Sequence, residues 1–211
     1  MSSDLDLAPF LAEYQIDADL GAPRTELSTT DTRTARHTSS IEELLDRFGG
    51  MSFSNGLYRL HRLDDVAAWN ETIATAWSET AHRVSVFAYD WLGRQFALFE
   101  QEMVLQFSAG VLDWVEIPGD PATFHNQQLT VHRQDALADA FYQTWLQSGG
   151  ARPNYSMCIG YKKPLFLGGV DWIENLEAID MDVYWTVTAP IIAKAIQVGV
   201  GGVIGRIEID E

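Results

Sequence analysis

Four strand-like runs fall within residues 84–117, separated only by turn residues, and they constrain this chain more than any other feature. Val84-Ser-Val-Phe-Ala-Tyr89 and Arg94-Gln-Phe-Ala-Leu-Phe99 read as the arms of a hairpin. Asp90-Trp91-Leu92-Gly93 supplies the connection, with Gly93 free to take a positive φ. Glu102–Ser108 and Val111–Ile117 give two more strands around Ala109-Gly110, and Pro118-Gly119-Asp120-Pro121 ends the run. Further strands are expected at Leu57–Leu60, led in by an Asn55-Gly56 turn, and at Met157–Tyr161. Strands gathered in one cluster, with no regular βαβ alternation, predict an α+β fold. Its sheet is largely antiparallel and flanked by helices, within a single main domain.

The helical signals lie around that cluster. Leu7, Phe10, Leu11 and Tyr14 fit one small helix, and the Ser/Thr-rich stretch from Gly21 to Ser40 reads as a linker. Residues 1–40 are therefore expected to be an N-terminal extension to a domain spanning 41–211. Ser40 is placed to cap a helix through Ile41, Leu44, Leu45 and Phe48, stopped by Gly49-Gly50. Val66, Trp69, Ile73 and Trp77 recur at helical steps, with Asp64 or Asp65 placed to cap. A helix is expected from about Arg133 to Gln147, with Leu137, Phe141 and Trp145 on one face. Pro164–Gly169 reads as a stiff connector. Asp171 and Glu174 have the spacing of a capping box for a short helix through Leu176, and Asp180 could cap another. Val183–Thr188 is ambiguous between helix and strand, Pro190 should end or kink it, and Arg206–Glu211 alternates like an edge strand.

Charge narrows the function classes. Fourteen basic residues stand against 30 acidic ones, a net charge of −16. Such a field repels nucleic acid and anionic lipid and attracts basic proteins. From Pro164 to Ala193 there is no Lys, Arg or His, yet Asp171, Glu174, Glu177, Asp180 and Asp182 fall within a dozen residues. The segment fits a solvated helix face first, and alternatively a surface that meets a cationic partner. Thr186–Gly205 is apolar, but Lys194 near its middle and Pro190 argue against a membrane span. The acidic opening residues do not read as a secretory signal, so a cytoplasmic location is expected.

No catalytic pattern emerges. The histidines at 37, 61, 82, 125 and 132 form no HExxH motif, and His61 with Asp64 and Asp65 reads better as a turn than as a metal cluster. Cys158, the single cysteine, sits in an apolar strand where a thiol packs as a small hydrophobe. Gly199, Gly201, Gly202 and Gly205 miss the dinucleotide fingerprint, because position 204 is Ile204. No metal, cofactor or catalytic residue is expected, and the chain is not expected to be an enzyme.

Five stretches carry a family resemblance. They are Asn55-Gly-Leu-Tyr-Arg59, Tyr89-Asp-Trp-Leu-Gly-Arg-Gln-Phe-Ala97, Gly160-Tyr-Lys-Lys-Pro-Leu-Phe-Leu-Gly-Gly169, Asp171 with Glu174-Asn-Leu176, and Asp180-Met-Asp-Val-Tyr-Trp185. In this order and spacing, over about residues 48–190, they resemble the C-terminal domain of immunity proteins against type VI secretion DNase toxins, often found with a GAD-like segment. The resemblance implies an α+β fold and neutralisation of a cognate basic protein toxin by direct contact. The motif positions Tyr89, Asp90, Trp91, Gly93, Arg94, Tyr161, Pro164, Gly168, Gly169, Asn175, Tyr184 and Trp185 are expected to be scaffold, with Arg94 bridging a carboxylate. Asp171, Trp172, Glu174, Glu177, Asp180 and Asp182 are the expected partner-binding residues, Trp172 serving as an apolar anchor. The alternative is a ligand-binding or regulatory scaffold with no toxin partner.

Overall fold

The structure, a computed structural model, describes residues 5–22 and 39–199. Six strands, β1 (Ser52–Phe53), β2 (Tyr58–Leu60), β3 (Val84–Asp90), β4 (Gln95–Phe99), β5 (Met103–Phe107) and β6 (Trp114–Pro118), form one sheet. Each pairs antiparallel with the next in sequence, so the sheet is a simple meander. A second antiparallel pair joins β7 (Met157–Tyr161) to β8 (Leu176–Asp180). The helices are α1 (Ala8–Glu13), α2 (Ser40–Phe48), α3 (Val66–Ala76), α4 (Pro121–Thr123), α5 (Leu129–Val131), α6 (Arg133–Leu137), α7 (Asp139–Gln147) and α8 (Met181–Val198).

The sheet is covered on both faces, which explains why its strands read as nearly continuous apolar runs. Phe96, Leu98 and Val104 face a layer built from α1, α2 and the helices between residues 121 and 147. Ala97, Leu105 and Phe107 alternate to the other side, against Ile73, Ala76 and Trp77 near α3 and Trp185, Ala189 and Ile192 of α8. This alternation is the strand period of two. It slips once, in β3. The register shifts between Val86 and Ala88, placing Phe87 and Ala88 with the first layer before Tyr89 returns to the second. The expected α+β architecture with an antiparallel sheet and flanking helices is what the chain forms.

Several local expectations are corrected. Ser40 is the first helical residue; the cap is Ser39, whose hydroxyl accepts from Glu42 N while the Glu42 carboxylate accepts from Ser39 N. Asp65 occupies the N-cap position of α3, but neither it nor Asp64 makes a capping side-chain bond. They form a 3-10 turn ahead of it, and Asp65 accepts from the Tyr155 hydroxyl instead. The helix expected over 133–147 breaks at Ala138, at φ 50°, into α6 and α7; Leu137 and Tyr142 are its deeply buried residues, while Phe141 and Trp145 are only half-buried. Helical turns at 121–131 were not anticipated. Asp171 and Glu174 cap nothing: residues 173–175 make a 3-10 turn and Leu176 opens β8. Pro190 does not end α8, which runs on to Val198.

The N-terminal helix is not an appendage. Phe10 and Tyr14 are buried in the core, the Tyr14 hydroxyl donates to Leu129 O at 2.6 Å, and Ile16 bridges to Phe53. The linker residues 23–38 and the tail from 200 onward lie outside the described residues.

Candidate partner-binding surface

The motif residues converge on the ends of the β3–β4 hairpin. Asp90 Oδ1 accepts from Leu92 N and Arg94 N, and Oδ2 accepts from Arg94 Nε at 2.6 Å. Arg94 also donates to Ala136 O, and Trp91 Nε1 donates to Leu137 O, tying the turn to α6. Burial pushes the Asp90 carboxyl up from its ordinary value, against the pull of the Arg94 guanidinium. Trp185 Nε1 donates to Gly93 O at 2.8 Å, bringing α8 to the same turn. Tyr89 donates its hydroxyl to Tyr155 O, and the Tyr184 hydroxyl accepts from Tyr161 N. These side chains are spent on holding elements together. Gly93 is required here twice over: its φ is 74°, and an added Cβ would lie 2.9 Å from Cys158 Sγ. Gly93→Ala is expected to lower stability by roughly 2–4 kcal/mol, combining left-handed backbone cost with overpacking, measurable by urea unfolding.

Between β7 and β8 the chain makes a compact loop, residues 162–175, pinned from its end. Asn175 Nδ2 donates to Lys163 O and Val170 O, its Oδ1 accepts from Lys163 N, and its backbone oxygen accepts from Lys162 N. Pro164 O accepts from Gly169 N, closing an inner turn in which Gly168 sits at φ 82°. A Cβ on Gly169 would meet the Lys163 carbonyl oxygen at 1.9 Å, so only glycine fits. Pro164, Gly168, Gly169 and Asn175 thus act as the frame of this loop.

What the frame displays is apolar and acidic. Of the seven tryptophans only Trp172 is exposed, at 67%, and Val170 (56%) and Leu167 stand out beside it in the same loop. Asp171, Glu174, Glu177 and Asp182 are exposed. Asp171 accepts from the Tyr161 hydroxyl at 2.6 Å, which together with burial raises the phenol's pKa, burial being the larger cause. Asp180 differs from the rest. It is half-buried and its Oδ1 accepts from Asp182 N and Val183 N, capping α8. Lys162 and Lys163 belong to the same loop, with Lys162 Nζ donating to Glu174 O, so five carboxylates stand against two ammonium groups over residues 162–182. The predicted acids therefore gather on one loop, the strand after it and the first turn of α8. Leu167 and Val170 were not singled out from sequence; the glycine pair between them was the available signal.

His61, His125 and the cysteine are structural. His61 is buried and its Nε2 donates to Gln95 Oε1 at 2.7 Å, an assignment that follows because Gln95 Nε2 donates to Gly93 O. Burial lowers its pKa to about 3. His125 Nδ1 donates to Pro121 O at 2.6 Å and its Nε2 accepts from the Tyr58 hydroxyl; burial lowers its pKa to about 4. Cys158 is buried and its thiol is pushed up to about 12, far from a reactive thiolate. Among the described residues no group of three His, Cys, Asp or Glu side chains could hold a metal ion. Among them, too, no helix is long and apolar enough to cross a membrane.

No family model matches the chain, and no curated protein matches it. Among solved structures it is similar to the crystal structure of Atu4351 from Agrobacterium tumefaciens. The identity is 12%, the TM-score 0.46, and the match covers 66% of this chain and 69% of that one.

Proposed function

We propose that this protein is an immunity-type inhibitor that binds a cationic protein toxin, of the DNase kind, through the loop of residues 162–175 and the acidic positions that follow it. The observation that supports this reading is the exposure of Trp172 with Val170 and Leu167 of the same loop, in a stretch that also exposes Asp171, Glu174 and Glu177. A large exposed aromatic in a stretch of exposed carboxylates has the composition of an interface hot spot and its polar surround. A DNase must carry a cationic groove to hold phosphates, and a carboxylate rim is matched to it. Sequestration of this kind asks for shape and charge rather than for catalytic groups. Inhibition takes place where the toxin's target lies, which for DNA means the cytoplasm.

The test is co-expression with a DNase-type toxin encoded beside this protein, scoring survival and then co-purification. Trp172→Ala is expected to weaken the complex by about 2 kcal/mol, roughly thirtyfold in Kd. Glu174→Lys with Glu177→Lys is expected to slow association most at low salt. Full protection by a chain carrying Trp172→Ala, Glu174→Lys and Glu177→Lys together, with unchanged affinity at low salt, would remove this surface from the mechanism.

A further inference from the structure

Helix α8 buries one side and leaves valines exposed among a few polar residues on the other. Met181, Tyr184, Trp185, Thr188, Ala189, Ile192 and Ala195 are buried, packing with α3 and the β7–β8 pair. On the opposite side Val183 is 53% exposed and Val187 40%, with Thr186 exposed and Pro190 half-buried. In 18 residues the helix carries two charges, Asp182 and Lys194, both exposed. A helix side left to water is normally lined with charged and polar residues, whereas this one exposes Val183 and Val187 between its two charges.

We propose that this face is covered by a second copy of the chain, the two α8 helices packing antiparallel across a twofold axis. The distribution of charge argues for it. Asp182 lies in the first turn and Lys194 in the last turns. At 100° per residue Asp182, Val183, Thr186, Val187, Pro190 and Lys194 fall within an arc of about 140°. Antiparallel pairing about the middle of the helix sets Asp182 of one copy beside Lys194 of the other, at both ends of the contact. Val187, near the midpoint, meets its own counterpart. Such self-complementarity is what an isologous dimer requires. The antiparallel arrangement also opposes the two helix dipoles favourably. The face as a whole is electrically neutral, unlike the acidic loop, so it has no bias toward a cationic partner. Asp182 is shared with the acidic positions of the toxin reading, but Val187 is not, so Val187→Glu tests the dimer independently of that reading.

Sedimentation velocity on the purified full chain, from low to high micromolar concentration, tests the proposal. The expected species is a dimer of the 23.6 kDa chain. Val187→Glu, a surface change that leaves the core untouched, is expected to yield monomer, with circular dichroism confirming an unchanged fold. Lys194→Glu is expected to weaken the dimer by roughly tenfold through like-charge contacts with Asp182. The exchange Asp182→Lys with Lys194→Asp is expected to restore it. A wild-type chain that stays monomeric throughout overturns the proposal, as does a dimer indifferent to Val187→Glu. Failure of the charge exchange to rescue would reject the antiparallel register and with it the interface described.

Discussion

Lowering the pH from 7 to 4 is expected to remove on the order of 5 kcal/mol of folding stability through two histidines. His61 and His125 are both fully buried and neutral, with pKa values lowered by burial to about 3 and about 4. In the unfolded chain each returns to the ordinary value near 6.5. Between the unfolded and folded values the unfolded state binds more protons, so stability rises with pH across that window. The contribution is fully present above about pH 6.5. It is lost as the pH falls toward about 4 for His125 and about 3 for His61, at about 1.4 kcal/mol per pH unit for each. Asp90 acts in the opposite sense. Its carboxyl is raised by burial, so acidification relieves a cost that is present at neutral pH. Urea unfolding at a series of pH values reads the sum, and His125→Gln isolates one part. The slope between pH 6 and 4.5 should become shallower by about 1.4 kcal/mol per pH unit in that variant. An identical slope would mean that burial does not hold His125 neutral in the folded chain.

Replacing Arg59 is expected to cost about 3–5 kcal/mol, as removal of one member of a buried charged network does. Arg59 is completely buried on β2. Its Nη1 donates to Asn154 O and Met157 O at 2.5 and 2.6 Å, its Nη2 donates to Asp90 O at 2.8 Å, and its guanidinium lies 4.5 Å from the Tyr89 ring centre. One cation thereby joins β2, the end of β3 and the segment leading into β7. Arg59→Met preserves much of the volume but leaves three carbonyl groups without this donor, in a setting where an unsatisfied polar group costs roughly 1–3 kcal/mol. Asp90 also loses a neighbouring positive charge that favours its ionised form. Urea unfolding at neutral pH measures the loss. A change below about 1 kcal/mol would mean that the freed carbonyls regain water cheaply and that the 154–157 segment is not held by this side chain.

The candidate surface was legible in part. The run of carboxylates is a matter of composition, and its position next to the family-like motifs could be read directly. That Asp180 is occupied as a helix cap could be guessed from its place before Val183-Tyr184-Trp185, and the structure places it there. The exposure of Trp172 is what its reading as an apolar anchor requires, but what produces that exposure is tertiary. It follows from the bonds of Asn175 and the turn at Gly168, which fix the loop's backbone and leave Leu167, Val170 and Trp172 facing outward.

By itself the sequence determined the meander. Strands joined by short turns pair with their sequence neighbours, so the order from β3 to β6 follows from local chemistry, above all the Asp90–Gly93 turn whose carboxylate serves its own backbone. It also determined α2 and α3, where helical spacing and stop signals agree. Tertiary structure decided the points at which a local signal met a larger distant one. Asp171 and Glu174 spell a helix start, yet residues 176–180 become a strand because Met157–Tyr161 offers a full ladder of partners. Pro190 deprives the Thr186 carbonyl of its helical donor, yet α8 continues because Ala189, Ile192 and Ala195 bury apolar surface on both sides of the proline. The physical reason is one of magnitude: a cap or a single helical bond is worth about 1 kcal/mol, and burial of several side chains outweighs it.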